Sequence, residues 1–97
     1  MSELENLRKR IDELDQQLVK LLNERASCAV EIGHIKNQLK MQTWQPNREA
    51  EILSNIVKSN HGPLDNAAVQ RLFERIIDEA RSLERHIMDT KSYQEKE

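Results

Sequence analysis

The chain has 97 residues, of which 33% are charged and 3% aromatic, with two glycines and two prolines. That composition suits long helices and disfavours a β sandwich or barrel, and the length holds one small all-α domain. A formal charge of −2 argues against nucleic acid as the main partner, no apolar run nears the roughly 20 residues of a membrane span, and the opening MSELENLRKR lacks the apolar core of a signal peptide, so a cytosolic protein is expected.

The first helix is predicted from Ser2 or Glu5 to about Met41. Its apolar stripe reads Leu7, Ile11, Leu14, Leu18, Leu21, Cys28, Ile32, Ile35 and Leu39, with spacings of three and four from Ile11 except where Arg25 takes a place in the series. About 35 residues make a rod of about 50 Å. Two shorter helices of the same chain cannot cover it, which makes a second copy of the first helix its natural cover. Cys28, the single cysteine, reads as a small core residue in a reducing compartment.

The stretch TWQPNREAEI opens the second helix, because Pro46 suits a first helical position. Its stripe of Ile52, Leu53, Ile56 and Val57, counted back four places, puts Arg48 and Glu49 where the core face begins. The helix runs to Ser59 and stops at SNHGPLD, where Gly62 can turn left-handed and Pro63 blocks continuation. Asp65 then caps a third helix, Asn66 to Ile87, with Val69, Leu72, Phe73, Ile76, Ile77, Ala80, Leu83 and Ile87 inward and Glu84 on the same face. Residues 1–90 are expected to form the domain, MDTKSYQEKE after Ile87 reads as frayed helix or linker, and 91–97 as a polar tail or linker remnant.

Five charges therefore lie on apolar faces: Arg25, Lys36, Arg48, Glu49 and Glu84. Lys36 follows Arg25 by almost three turns, about 16 Å along the same side of the helix, with Ala29 and Ile32 between them. A small dianion fits between those cations, and Arg48 near a helix start adds a donor. Singly, each has a plainer reading: a buried ion pair between subunits for Arg25, a solvated chain for Lys36, first-turn residues for Arg48 and Glu49, a stripe margin for Glu84. Together they favour an internal anion site. His34, His61 and His86 lack metal-ligand spacing and read as surface residues, neither metal nor cofactor is implied, and Trp44 reads as a packing residue.

The stretches LRKRIDELDQQLVKLLNERASCAVEIGHIK, PNREAEI and GPLDNAAVQRLFERIIDEARSLE resemble the all-helical class of chorismate mutases across about residues 4 to 87. The resemblance implies an intertwined helical homodimer with two identical sites and the conversion of chorismate to prephenate in aromatic amino-acid biosynthesis. It places Arg8 and Arg25 on the substrate carboxylates, Lys36 on the ether oxygen and a carboxylate, Arg48 in ordering the site, Glu49 on the ring hydroxyl, and Glu84 on the ether oxygen opposite Lys36. Arg8 and Lys36 stand about 42 Å apart along one helix, so Arg8 is expected from the other subunit. Glu84 stands where some members have an amide, Ala80 where a hydroxyl is common, and Gln45 where an acid is sometimes found. Two further readings follow from likeness: a regulatory or docking module of a heptulosonate-phosphate synthase, whose mutase domains the third-helix stretch resembles, and an isochorismate–pyruvate lyase. A purely structural helix bundle would not need the five charges to converge.

Overall fold

At about 1.5 Å per residue, α1 (Ser2–Leu39) is a rod of about 57 Å, and it sets the length of a molecule measuring 61 × 28 × 14 Å. The computed structural model describes residues 2–96, with side chains through residue 89. Two more helices complete it, α2 (Pro46–Ser59) and α3 (Asn66–Lys96). α3 packs on both α1 and α2, and the space between those two is left as a cleft.

Local chemistry fixes the ends of the elements. Lys40 turns left-handed at φ 58°, which lets the Met41 N–H reach back to the Lys36 carbonyl at 2.8 Å. α1 therefore stops at Leu39, short of the expected Met41. Pro46 opens α2 at its first position, as expected. In the α2–α3 connection Gly62 sits at φ 78°, and Asn60 ties the turn by donating to the Leu64 carbonyl at 2.9 Å and to Asn66 Oδ1 at 2.8 Å. Asp65 Oδ1 accepts the Ala68 N–H at 2.7 Å, the capping bond its position predicts.

α3 continues to Lys96 rather than ending near Ile87. Residues 88–96, MDTKSYQEK, contain neither glycine nor proline, and Met, Lys, Gln and Glu favour a helix, so nothing in them stops it.

α1 and α3 approach closely at Gly33, where a Cβ would lie 3.3 Å from the Glu84 Cα. That absence of a side chain brings Glu84 to within reach of Lys36, one turn further along α1. Around this crossing lie the buried apolar side chains, Ala29 and Ile77. Elsewhere the stripe of α1 has no cover: Leu7 is 63% exposed, Ile11 54%, Leu18 55% and Leu21 59%. A thickness of 14 Å is little more than one helix diameter, and one layer of helices cannot enclose a core. Cys28, expected in the core, is exposed within the chain for this reason.

Candidate active site

The cleft has a volume of about 500 Å³ and draws its walls from all three helices. From α1 come Arg25, Ala29, Ile32 and Lys36, in the order that the helical spacing predicts. The α1–α2 loop contributes Gln45 and Thr43, and the first turns of α2 contribute Arg48 and Glu49. Ala80, Arg81 and Glu84 form the α3 side. Eight residues were singled out from the sequence for the site, Arg8, Arg25, Lys36, Arg48, Glu49 and Glu84 with Gln45 and Ala80 ranked lower, and all but Arg8 meet here.

Lys36 is the hinge of the arrangement. Its Nζ donates to Glu84 Oε1 at 2.7 Å and to the Thr43 carbonyl at 3.2 Å, with the two side chains only 13% and 11% exposed. It is thus no solvated chain. An ammonium has three N–H groups, and these two bonds leave one for a ligand. The same residue caps α1 through its carbonyl, so the loop carrying Thr43 and Gln45 is tied to Lys36 at both its backbone and its side chain.

Glu49 is half-buried and held by both of its oxygens. Arg81 Nε donates to its Oε2 at 3.0 Å and Nη2 to its Oε1 at 2.7 Å, a bidentate pair joining α3 to α2. Hydrogen bonding from Glu49 raises the Arg81 pKa above its ordinary value, so this cation stays charged at any working pH. Arg81 did not figure among the sequence candidates. The signal was present, since it lies four residues after Ile77 and three before Glu84, on the face that bears both.

One expectation needs correction. Arg48 is not on a core face: it is exposed at the cleft rim and pairs with Glu51 one turn on. The two acids of the cleft are both paired, Glu84 with Lys36 and Glu49 with Arg81. Arg25, half-buried, makes no ion pair among the described residues. Four cations still face two carboxylates on the cleft wall, a formal surplus of two positive charges in a chain whose total is −2. Arg8 is exposed on the N-terminal part of α1, outside the cleft. His34, His61 and His86 are exposed, as expected, and Trp44 is 56% exposed, with little of its own chain to pack on. Among the described residues no helix is long and apolar enough to cross a membrane.

The family model described as chorismate mutase type II matches residues 7–85. The bifunctional chorismate mutase/prephenate dehydratase of Pseudomonas aeruginosa is 41% identical over 87 residues, which cover 84% of this chain and 24% of that protein. The chorismate mutase of Methanocaldococcus jannaschii is 32% identical over 91 residues, covering 92% of this chain and 91% of that one. Among solved structures, the chorismate mutase of Helicobacter pylori in complex with prephenate superposes with a TM-score of 0.83 at 29% identity, over 92% of this chain and 97% of the other. The chain spans 24% of the length of the Pseudomonas relative, whose mutase is joined to prephenate dehydratase rather than to the heptulosonate-phosphate synthase that the sequence suggested. It belongs to the chorismate mutase type II family.

Proposed function

We propose, from membership of the chorismate mutase type II family, that the cleft converts chorismate to prephenate by an intramolecular Claisen rearrangement. The observation that carries this reading is the surplus of two positive charges around a pocket of about 500 Å³, which matches a compact dicarboxylate.

The reaction breaks a C–O bond and forms a C–C bond within one molecule, with negative charge gathering on the ether oxygen in the transition state. No proton is transferred and no group is passed to the protein. Catalysis needs only a clamp on the reactive conformer and donors at that oxygen. Arg25, together with Arg8 of a second subunit, holds the carboxylates, and Arg48 at the rim orders them. Lys36 offers its third N–H to the ether oxygen, and Glu49 accepts the ring hydroxyl. Ala29, Ile32 and Ala80 supply apolar wall that presses on the ring without competing for its polar groups. One preorganised donor is typically worth about 3 to 4 kcal/mol, and a modest enzyme lowers its barrier by about 8 kcal/mol, so Lys36, a second donor and the clamp are of the right size.

Glu84 is the candidate second donor, and it donates only when protonated. As an ionised partner of Lys36 it faces the ether oxygen with the wrong charge. Protonated, it gives a second hydrogen bond to that oxygen and releases Lys36 to do the same.

The active form is a homodimer in which the first helices of two copies lie side by side. Support comes from the uncovered α1 stripe and from a molecule one helix thick. A cytosolic location accords with the single unpaired cysteine.

The test is the loss of chorismate absorbance with purified protein beside a Lys36→Ala variant. Turnover well above the uncatalysed rate, reduced at least about 100-fold in the variant, is the expected result. A folded dimer with no turnover would instead favour the docking reading, in which the domain acts through a heptulosonate-phosphate synthase.

A further inference from the structure

Of the four cations on the cleft wall, Arg81 is the one with no task in the clamp or at the ether oxygen. It stands on α3 between Ile77 and Glu84, both buried, and its own side chain is 24% exposed. The fork of its guanidinium is committed: Nε and Nη2 hold the two oxygens of Glu49, and Asp78 lies 3.3 Å from Nη2 on the other side. A single hydrogen bond would leave the carboxylate free to turn, whereas two parallel bonds fix its plane as well as its place. The pair also joins α2 to α3, so the direction in which Glu49 faces the cleft is set from α3.

A carboxylate offers about four lone-pair sites, and Arg81 takes two of them. The remaining two are left in a fixed direction, on a residue that lines the cleft. Were Arg81 to swing to a substrate carboxylate instead, Glu49 would be left half-buried and unpaired beside a bound dianion, which is strongly unfavourable.

We propose that Arg81 is a positioning residue for the mutase reaction: it touches no substrate atom, and holds Glu49 in the orientation that accepts the substrate's ring hydroxyl. This rests on the mutase reading above. It follows that Arg81 governs selectivity for the hydroxyl rather than affinity for the dianion.

The experiment compares the wild type, Arg81→Leu, Arg81→Lys, Glu49→Gln and the Arg81→Leu/Glu49→Gln pair on chorismate and on a chorismate analogue lacking the ring hydroxyl. Arg81→Leu is expected to lower kcat/KM for chorismate by roughly 10- to 100-fold, since a small misplacement of a positioned group has effects of that size. On the analogue the loss should be clearly smaller, because the cost of an unpaired Glu49 beside the dianion is common to both substrates and only chorismate has the hydroxyl to lose, with circular dichroism and light scattering showing that fold and dimer are intact. Arg81→Lys, which keeps the charge but not the fork, should show a smaller loss of the same selectivity, and it serves if the leucine variant does not fold. The double variant should be no worse than the poorer single one. Equal losses on both substrates, or effects that multiply in the double variant, would overturn the positioning role and make Arg81 a direct ligand or a structural tie. A wild type that fails to accelerate the rearrangement overturns the mutase reading, and this inference with it; a wild type that turns over beside an unimpaired Arg81→Leu overturns this inference alone.

Discussion

The two halves of α1 carry the same apolar period and meet different fates. In the C-terminal half, α3 crosses at Gly33, Ala29 is buried, and Arg25 and Lys36 flank a cleft whose far walls come from the same chain, while Ile35 and Leu39 beyond the crossing stay exposed. In the N-terminal half, Leu7, Ile11, Leu18 and Leu21 stand more than half exposed, and the charge on hand is Arg8, which no cleft of its own chain can use. Periodicity tells which face of a helix is to be covered. It is silent on what covers it. The contrast assigns one half of the helix to building a site and the other to recruiting the second copy that completes it.

Placing a charge in the uncovered half should have the largest effect. Leu18→Glu, about four turns of α1 before the crossing at Gly33 and outside the cleft, is expected to yield monomer in light scattering and to lower mutase turnover by at least about 100-fold, since a buried unpaired charge is not tolerated at a packed interface. A monomer with full turnover would erase the distinction between the halves.

The covered half is probed through Glu84. Glu84→Gln, which keeps a donor facing the Lys36 side of the cleft, is expected to retain turnover, whereas Glu84→Ala, which has none, should lose about 100- to 1,000-fold in kcat. Equal losses in the two variants would remove Glu84 from the donor role.

The smallest effect tests the crossing itself. A Cβ at residue 33 would meet the Glu84 backbone at 3.3 Å, tighter than ordinary contact, so Gly33→Ala must push α3 outward by a few tenths of an ångström. A loss of about 1 to 3 kcal/mol in denaturant stability is expected, with a drop in turnover as Lys36 and Glu84 separate. Unaltered stability would mean that the two helices are free to adjust there.

Much of this was legible in the sequence. Pro46, Gly62 and Asp65 act by backbone chemistry that depends on a few neighbouring residues, and each sits where its type predicts. The convergence of Arg25, Lys36, Glu49 and Glu84 followed from helical spacing, which survives folding because a helix is rigid. What the sequence hid was pairing between helices. Spacing along one helix says nothing of the bidentate bond from Arg81 to Glu49, or of Glu84 meeting Lys36, because both depend on how α3 lies across its neighbours. Beyond Ile87 the polar stretch left frayed helix and linker both open, and the helical one holds because nothing there, neither glycine nor proline, stops the helix. Cys28 was placed in a core that one chain by itself does not form.

The central claim, that each site joins the cleft of one copy to Arg8 of another, is tested most directly by mixing two inactive variants. Arg8→Ala lacks the residue lent to the partner, and Lys36→Ala lacks the residue kept at home. In a mixed dimer one site carries both lesions and the other carries neither. After equal amounts are mixed and allowed to exchange subunits, about one quarter of wild-type specific activity on chorismate should return, since half the dimers are mixed and each has one intact site. A mixture that exchanges subunits yet stays as inactive as its components, beside an active wild type, would contradict the shared site.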